Sequence, residues 1–211
     1  MGQLVIGIDF DNTIVSYDSL FYQVAVEQQL IDTPTNPGKK VIRDTIRLLP
    51  DGENRWQELQ ALVYGSRIQG AMLIDGVRRF VAACRAAGYK VYIVSHKTEY
   101  ANFGNPKPSL RQAALAWMEQ NGFFEESGLG FSRSDVFFGA TRREKLMYIE
   151  QLGCTHFIDD LEEVFLEPNF PSMVKKILYA PQGTEITSAV LPNVVVLSNW
   201  QTISEHLFSA A

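Results

Sequence analysis

Short apolar runs rich in β-branched residues recur along the chain, and several of them end in polar or acidic residues. Runs of this kind predict buried strands. The predicted strands cover residues 3–10, 90–95, 136–139, 156–158, 176–180 and 194–197. Between several of them apolar residues recur at helical spacing, which predicts helices over 76–87, 109–121 and 142–152. Strands that alternate with helices indicate βαβ units, and the sequence therefore predicts an α/β fold with a parallel sheet flanked by helices.

The stretch between the first predicted strand and Leu73 has a different pattern. It contains no strand candidate but three helical patterns, at residues 19–30, 38–49 and 51–64, separated by segments rich in proline and glycine. We therefore expect a small all-α insertion at 16–70 on an α/β core formed by 1–15 and 71–211. Trp56, Leu59 and Val63 make an apolar stripe that should close the insertion's own small core.

The first predicted strand ends in Asp9 and Asp11, two acids separated by one residue. Alternate side chains of an extended segment point to the same side, so these two carboxylates should share one pocket. Carboxylates that close repel each other unless a cation or a proton separates them. The pair therefore predicts either a bound metal or a raised pKa, and the alternative is a polar strand end whose aspartates cap the following turn.

Polar residues also follow two later strands. Ser95 and His96 end the strand at 90–95, where a hydroxyl and backbone N–H groups can bind an oxyanion, although an ordinary strand-to-loop serine is the alternative. Asp159 and Asp160 end the strand at 156–158, and adjacent buried acids cost free energy without a metal or a cationic partner. The alternative here is that Asp160 caps the next helix while Asp159 pairs with a basic residue. Lys145 by itself is typical of a solvated helix lysine.

The order of these features is more specific than any one of them. The segments DFDNT (9–13) and IVS (93–95), then Lys145, then FIDD (157–160) resemble the four-motif signature of the haloacid dehalogenase-like (HAD) hydrolase superfamily. The resemblance covers the chain from residue 3 to about residue 161. It implies a Rossmann-like parallel sheet sandwiched by helices, with 16–70 as a small helical cap, and a Mg²⁺-dependent phosphatase that hydrolyses a small phosphomonoester.

The resemblance also implies roles for individual residues. Asp9 is similar to the nucleophile that forms an aspartyl-phosphate, and Asp11 to the general acid and base. Ser95 and Lys145 would complete the catalytic set by holding the phosphoryl oxygens and offsetting negative charge. Because an alkoxide leaving group needs a proton and a halide does not, Asp11 favours phosphate-ester hydrolysis over dehalogenation.

The implied ligand sets are as follows. The Mg²⁺ ligands would be Asp9, the backbone carbonyl of Asp11, Asp159 and Asp160, the last as a ligand, an outer-shell acceptor or a residue that orients Lys145. Backbone N–H groups of Phe10, Asp11 and His96 would join Ser95 and Lys145 in binding substrate. Two departures from the family pattern stand out. Residue 12 is Asn where Gly is common, and the fourth motif has the compact DD form, which leaves open whether Asp160, Glu162 or Glu163 is the acid that supports the metal ligands.

Other functions remain open at this point. A phosphotransferase or mutase would use the same aspartyl-phosphate, and a catalytically silent binding protein could keep the fold. A receiver-type phosphoacceptor domain also combines acids, a hydroxyl residue and a lysine around Mg²⁺, but the motif order and the large insertion here disfavour it.

Two segments could select the substrate. Lys39, Arg43 and Arg47 recur every four residues, making a basic stripe that could hold a second anionic group if it faces the pocket. The alternative is a solvated helix face opposite the apolar residues. The loop at 97–108, which follows Ser95, is the second candidate.

Composition restricts the kinds of partner and the location that we expect for this protein. The chain has 211 residues and 24 acids against 19 Lys and Arg, a net charge of −5, which disfavours general nucleic-acid binding. No run approaches the roughly 18 apolar residues of a membrane span, and an N-terminal signal peptide is not expected. Cys84 and Cys154 form no CxxC motif, which suggests a reducing compartment. We therefore expect a cytoplasmic monomer or homodimer whose partner is a small phosphorylated metabolite, with no nucleic acid or membrane.

Overall fold

The computed structural model describes residues 3–184, 186 and 193–209, and the chain divides into two compact units. The first unit comprises Met1–Ile14, Leu73–His96 and Gly122–Ala211, and the second comprises Val15–Met72 and Lys97–Asn121. The predicted insertion at 16–70 lies within the second unit. That unit also takes in 97–121, which the sequence prediction grouped with the core, because Trp117 of this segment is buried there and its Nε1 donates to the carbonyl of Ala71 at 3.0 Å.

Eight strands are present in the described part of the chain. In chain order they are β1 (Val5–Ile8), β2 (Val15–Ser16), β3 (Met72–Leu73), β4 (Lys90–His96), β5 (Val136–Gly139), β6 (His156–Asp159), β7 (Lys175–Tyr179) and β8 (Val194–Leu197). Six of them form a parallel sheet in the order β5-β4-β1-β6-β7-β8, and β2 pairs with β3 in a separate two-stranded sheet. All six predicted strands are found in the large sheet, so the predicted parallel α/β architecture is confirmed.

The helices follow the predicted pattern with two additions. In chain order they are α1 (Asp18–Glu27), α2 (Lys39–Arg47), α3 (Gly52–Ala61), α4 (Val77–Ala86), α5 (Leu110–Gln120), α6 (Arg142–Gln151), α7 (Glu162–Phe165) and α8 (Trp200–Ser209). The pattern predicted neither α7 nor α8. No helix in the described ranges is long and apolar enough to cross a membrane.

The centre of the first unit is the buried middle of its sheet. Ile6, Ile8, Ile93, Phe157 and Ile158 have no exposed surface. Strands of a parallel sheet are covered on both faces, which is why these segments are almost continuously apolar in the sequence instead of alternating.

The second unit has a core of its own. Trp56, Leu59 and Val63 are each at most 4% exposed, as the apolar stripe predicted. The ring of Phe21, on α1, stacks on Trp56 with centroids 5.3 Å apart. After α3 the chain continues as a π-helical turn, Leu62–Ser66, and a short 3₁₀ turn, Ile68–Gly70.

Candidate active site

Strand register brings two of the predicted acids together. Ile8, the last residue of β1, pairs with Ile158 of β6, so the next residue of each strand, Asp9 and Asp159, lies at the same level of the sheet. A backbone hydrogen bond from Asp9 N to Ile158 O, 2.9 Å long, continues this register past the end of β1. Both side chains emerge at the carboxyl ends of their strands, the edge where open parallel sheets bind ligands.

Three carboxylates meet at this edge. Asp9, Asp159 and Asp160 each offer one oxygen, and these oxygens lie within 4.8 Å of one another. Asp9 is 5% exposed and Asp159 is fully buried. Since all three donors are hard oxygens, the cluster suits a cation such as Mg²⁺.

Local sequence explains how Lys145 reaches the cluster. The hydroxyl of Thr141 accepts from the backbone N–H of Glu144, and the Glu144 carboxylate accepts from Ala140 N, so helix α6 begins at a fixed place. A Cβ built on Gly139 would lie 2.7 Å from the backbone nitrogen of Lys145. Only glycine at this position lets the first turn of α6 approach the end of β5 this closely.

Lys145 joins two of the carboxylates. Its Nζ donates to Asp9 Oδ1 and to Asp159 Oδ2, both at 2.6 Å, and the side chain is 1% exposed. The other oxygen of Asp159 accepts from the backbone N–H of Leu161 at 3.0 Å. Lys145 is therefore a buried cation between two acids, not the solvated helix lysine that its position alone suggested.

The charge state of the cluster reflects its burial. Desolvation raises the pKa of Asp9 to about 7, and the charges of Asp159 and Asp11 add to this effect while Lys145 opposes it. Burial and the neighbouring Asp159 also raise the pKa of Asp160 well above its usual value. Burial would lower the pKa of Lys145, but the charges of Asp159 and Asp9 outweigh it and keep the amine protonated. A carboxylate cluster that holds its protons in this way would gain from a bound cation.

The turn after β1 carries Asp11. Asn12 has a φ of 58°, a left-handed conformation that asparagine tolerates better than most residues, and Ile14 N closes the turn on Phe10 O at 3.0 Å. Asp11 is half-buried and its carboxylate lies outside the three-carboxylate cluster. Its predicted roles, as acid and base and as a ligand through its backbone carbonyl, stay predictions.

Thr13 is a residue of this turn to which the sequence reasoning gave no role. It is fully buried, and its hydroxyl donates to Asp160 Oδ1 at 3.4 Å. Its carbonyl accepts from Trp200 Nε1 at 3.1 Å. Thr13 is the last residue of the DFDNT motif, but its hydrogen-bond partner Asp160 lies 147 positions away. This contact forms only in the folded chain, so the sequence did not reveal it.

The remaining predicted residues of the first unit are placed as follows. Ser95 is 1% exposed near the end of β4, the strand that neighbours β1. His96 is exposed, and its Nε2 lies 3.2 Å from the carbonyl oxygen of Ala140. Glu162 begins α7 and is buried, whereas Glu163 is exposed and lies outside the carboxylate cluster, as Glu162 does. Of the three acids considered for the supporting role, Asp160 is the one in the cluster.

The basic stripe lies on α2 in the second unit, with Ile42 and Ile46 buried on the opposite side. Arg43 pairs with Asp44 at 2.8 Å and Arg47 with Glu53 at 2.7 Å. Lys39 donates to the hydroxyl of Tyr64 at 2.7 Å. Whether the stripe contacts substrate stays a prediction.

Comparison with known proteins now places the fold. No family model and no curated protein matches the chain. Among solved structures, a HAD-family hydrolase from Deinococcus radiodurans with bound phosphate and sodium is 14% identical, with a TM-score of 0.60 over 99% of this chain and 96% of the other. The HAD-hydrolase YfnB from Bacillus subtilis, bound to magnesium, is 14% identical, with a TM-score of 0.61 over 97% and 98%. A predicted phosphoglycolate phosphatase from Haemophilus somnus is 12% identical, with a TM-score of 0.56 over 97% and 98%.

These likenesses define the fold of the protein. The chain has the fold of the haloacid dehalogenase-like hydrolases, a Rossmann-like parallel sheet flanked by helices, as the four motifs predicted. At 12–14% identity the likeness concerns the fold. Activity has to be argued from the site itself.

Proposed function

We propose that this protein is a Mg²⁺-dependent phosphatase that hydrolyses a small phosphomonoester through an aspartyl-phosphate on Asp9. The observation that carries the proposal is the buried group at the ends of β1 and β6, where Lys145 Nζ lies 2.6 Å from both Asp9 and Asp159 beside Asp160. Structures of the same fold that hold magnesium, or phosphate with sodium, support it.

The carboxylates fit the proposed metal. Asp9, Asp159 and Asp160 would hold Mg²⁺, together with the backbone carbonyl of Asp11. The raised pKa of Asp9 and of Asp160 means that the cluster, without a cation, retains protons that a divalent ion would replace. When bound, the ion supplies positive charge that offsets the charge of the phosphoryl oxygens.

The chain's own residues account for the bonds made and broken. Lys145 holds Oδ1 of Asp9, which leaves Oδ2 as the oxygen that attacks phosphorus. A bond from Asp9 to phosphorus forms while the bond from phosphorus to the leaving oxygen breaks, and Asp11 gives that oxygen its proton. Asp11 then accepts a proton from water, which attacks the aspartyl-phosphate and releases inorganic phosphate.

Two further side chains stabilise the transferred group. Lys145 offsets the negative charge that Asp9 and the phosphoryl group bring into a buried site, and the Ser95 hydroxyl donates to a phosphoryl oxygen. Electrostatic stabilisation and positioning of this kind supply most of the catalysis in phosphoryl transfer.

The test compares wild type with Asp9→Asn on p-nitrophenyl phosphate. Wild type with Mg²⁺ should release phosphate, whereas EDTA or Asp9→Asn should abolish this release. Circular dichroism should show that Asp9→Asn is still folded. Asp75→Asn is the matched control, because Asp75 is a solvent-exposed acid of the same unit. Release that survives both EDTA and Asp9→Asn would contradict the mechanism, and transfer to an added alcohol in place of water would favour the phosphotransferase alternative.

A further inference from the structure

The second unit contains a cavity that the proposed phosphatase chemistry does not use. Its volume is about 670 Å³, within the range of pockets that bind small molecules. The residues that line it belong to α3 and the π-helical turn, to the segment after α1, and to the loop at 103–108. All of them lie in the second unit, and none is a predicted catalytic residue.

One face of a helix forms the cavity floor and part of its rim. Arg55, Glu58, Leu59 and Leu62 follow the i, i+3, i+4, i+7 spacing of a single helical stripe, and all four line the cavity. Leu59 is buried and Leu62 is half-buried, while the two charged residues are exposed. The stripe therefore presents an apolar floor with one positive and one negative group at its edge.

The wall formed by the loop at 103–108 is held in place by local contacts. Ala101 N donates to the carbonyl of Pro108 at 3.0 Å, which closes the loop between them at its base. A Cβ built on Gly65 would lie 3.0 Å from the ring of Pro108, so glycine lets this wall pack directly on the π-helical turn. Phe103 adds a half-buried aromatic ring to the wall. These contacts fix the loop wall against the π-helical turn.

The charged groups at the rim are available to a ligand. Arg55 and Glu58 lie three positions apart on the helix, a spacing at which opposite charges can pair. Within the described residues, however, neither has an ion-pair partner. An anion would gain from Arg55 but be repelled by Glu58, and a cation would experience the reverse. A zwitterion satisfies both groups at once.

We propose that this cavity binds a zwitterionic small molecule with an apolar body, of the size of a dipeptide of apolar amino acids. Arg55 binds its carboxylate and Glu58 its ammonium, while the apolar body lies over Leu59, Leu62 and the Phe103 ring. Binding at this cavity can be measured without turnover, so its test does not depend on the proposed phosphatase activity.

The experiment measures binding of leucylphenylalanine to the full chain by calorimetry, beside its N-acetyl, C-amide and doubly blocked forms. The free dipeptide should bind tightest, and blocking either end should weaken binding by about fivefold, the effect of roughly 1 kcal/mol from a solvent-exposed ion pair. Arg55→Gln should remove the preference for the free carboxylate, and Glu58→Gln the preference for the free amine. Arg79→Gln, an exposed arginine of the other unit, should preserve both preferences.

Two further variants and outcomes make the test decisive. Leu62→Trp should fill the cavity and remove binding, and the exposed Arg55 and Glu58 variants keep the test valid if that larger side chain destabilises the fold. The proposal is overturned if no form binds at millimolar concentration, if all four forms bind equally, or if the two glutamine variants leave the preferences unchanged. Each of these readings holds whether or not the protein hydrolyses phosphate esters.

Discussion

Removal of the Lys145 charge is the most direct test of how the carboxylate cluster is held together. In Lys145→Met a side chain of similar length remains, but Asp9 and Asp159 lose the ammonium group that lies 2.6 Å from each. The side chains of these acids are 7% and 0% exposed, so water cannot replace the lost partner. Breaking a buried ion pair on one side costs about 3–5 kcal/mol, a large fraction of the roughly 5–15 kcal/mol that stabilises a typical domain.

The loss should depend on pH, and its sign follows from the carboxylates. Without Lys145 the pKa of Asp9, already about 7, rises further above its unfolded value of 3.8. At pH values between 3.8 and this raised pKa, the folded state binds more protons than the unfolded state, so the free energy of unfolding falls as the pH rises. The destabilisation should therefore be larger at pH 8 than at pH 5.5.

Urea unfolding in the presence of EDTA measures this difference at both pH values. Lys90→Met, which removes an exposed lysine of β4 in the same unit, is the matched control and should change stability by under about 0.5 kcal/mol. A loss for Lys145→Met below about 1 kcal/mol, the size expected of a surface pair, would refute the view that Lys145 offsets buried charge. A loss that grew towards acid pH would refute it equally.

Two other predictions concern specificity and acid stability. If the basic stripe of α2 selects the substrate, Arg43→Glu should raise KM about fivefold, equivalent to ~1 kcal/mol, for a phosphate ester with a second anionic group. The KM for p-nitrophenyl phosphate should not change, and equal effects on both substrates would reject the stripe as a specificity element. His156 is 5% exposed, and burial, aided by the charges of Lys175 and His206, lowers its pKa to about 4. As the pH falls, His156 is therefore protonated in the unfolded state before it is protonated in the folded state, and the free energy of unfolding should decrease between pH about 6.5 and about 4. This part of the decrease should be absent in His156→Gln, as measured by urea unfolding across that pH range.

The strands could be predicted because burial on both faces of a parallel sheet leaves a direct mark on the sequence. In apolar runs such as the one that ends at Ile8, few residues favour a helix or a loop over a strand. What the runs do not encode is register. The pairing of Ile8 with Ile158 decides that Asp9 lies beside Asp159, and it depends on contacts between segments about 150 positions apart.

The elements that sequence reasoning missed are short or depend on distant contacts. Strands β2 and β3 have two residues each, too few for a period-two pattern to show. Helix α8 did leave a signal, since Trp200, Ile203 and Leu207 have helical spacing and are all buried. Segment 97–121 belongs to the second unit through Trp117, and an isolated tryptophan in a helix does not reveal which surface buries it.

The position of Lys145 shows how a single glycine can set the geometry of the site, and this can be tested directly. In Gly139→Ala the new methyl group would meet the backbone nitrogen of Lys145 at 2.7 Å, well inside van der Waals contact, so the first turn of α6 must move outward. We expect a loss of stability of about 1–3 kcal/mol from overpacking. Phosphatase kcat should fall by a larger fraction than the stability does, because a displaced Lys145 can no longer contact Asp9 and Asp159 together. Ala140→Ser, which adds similar bulk at the exposed neighbouring position, should leave both quantities nearly unchanged. Full stability and full kcat in Gly139→Ala would show that α6 can reach the strand end without this close approach, and the geometric explanation for the glycine would then be wrong.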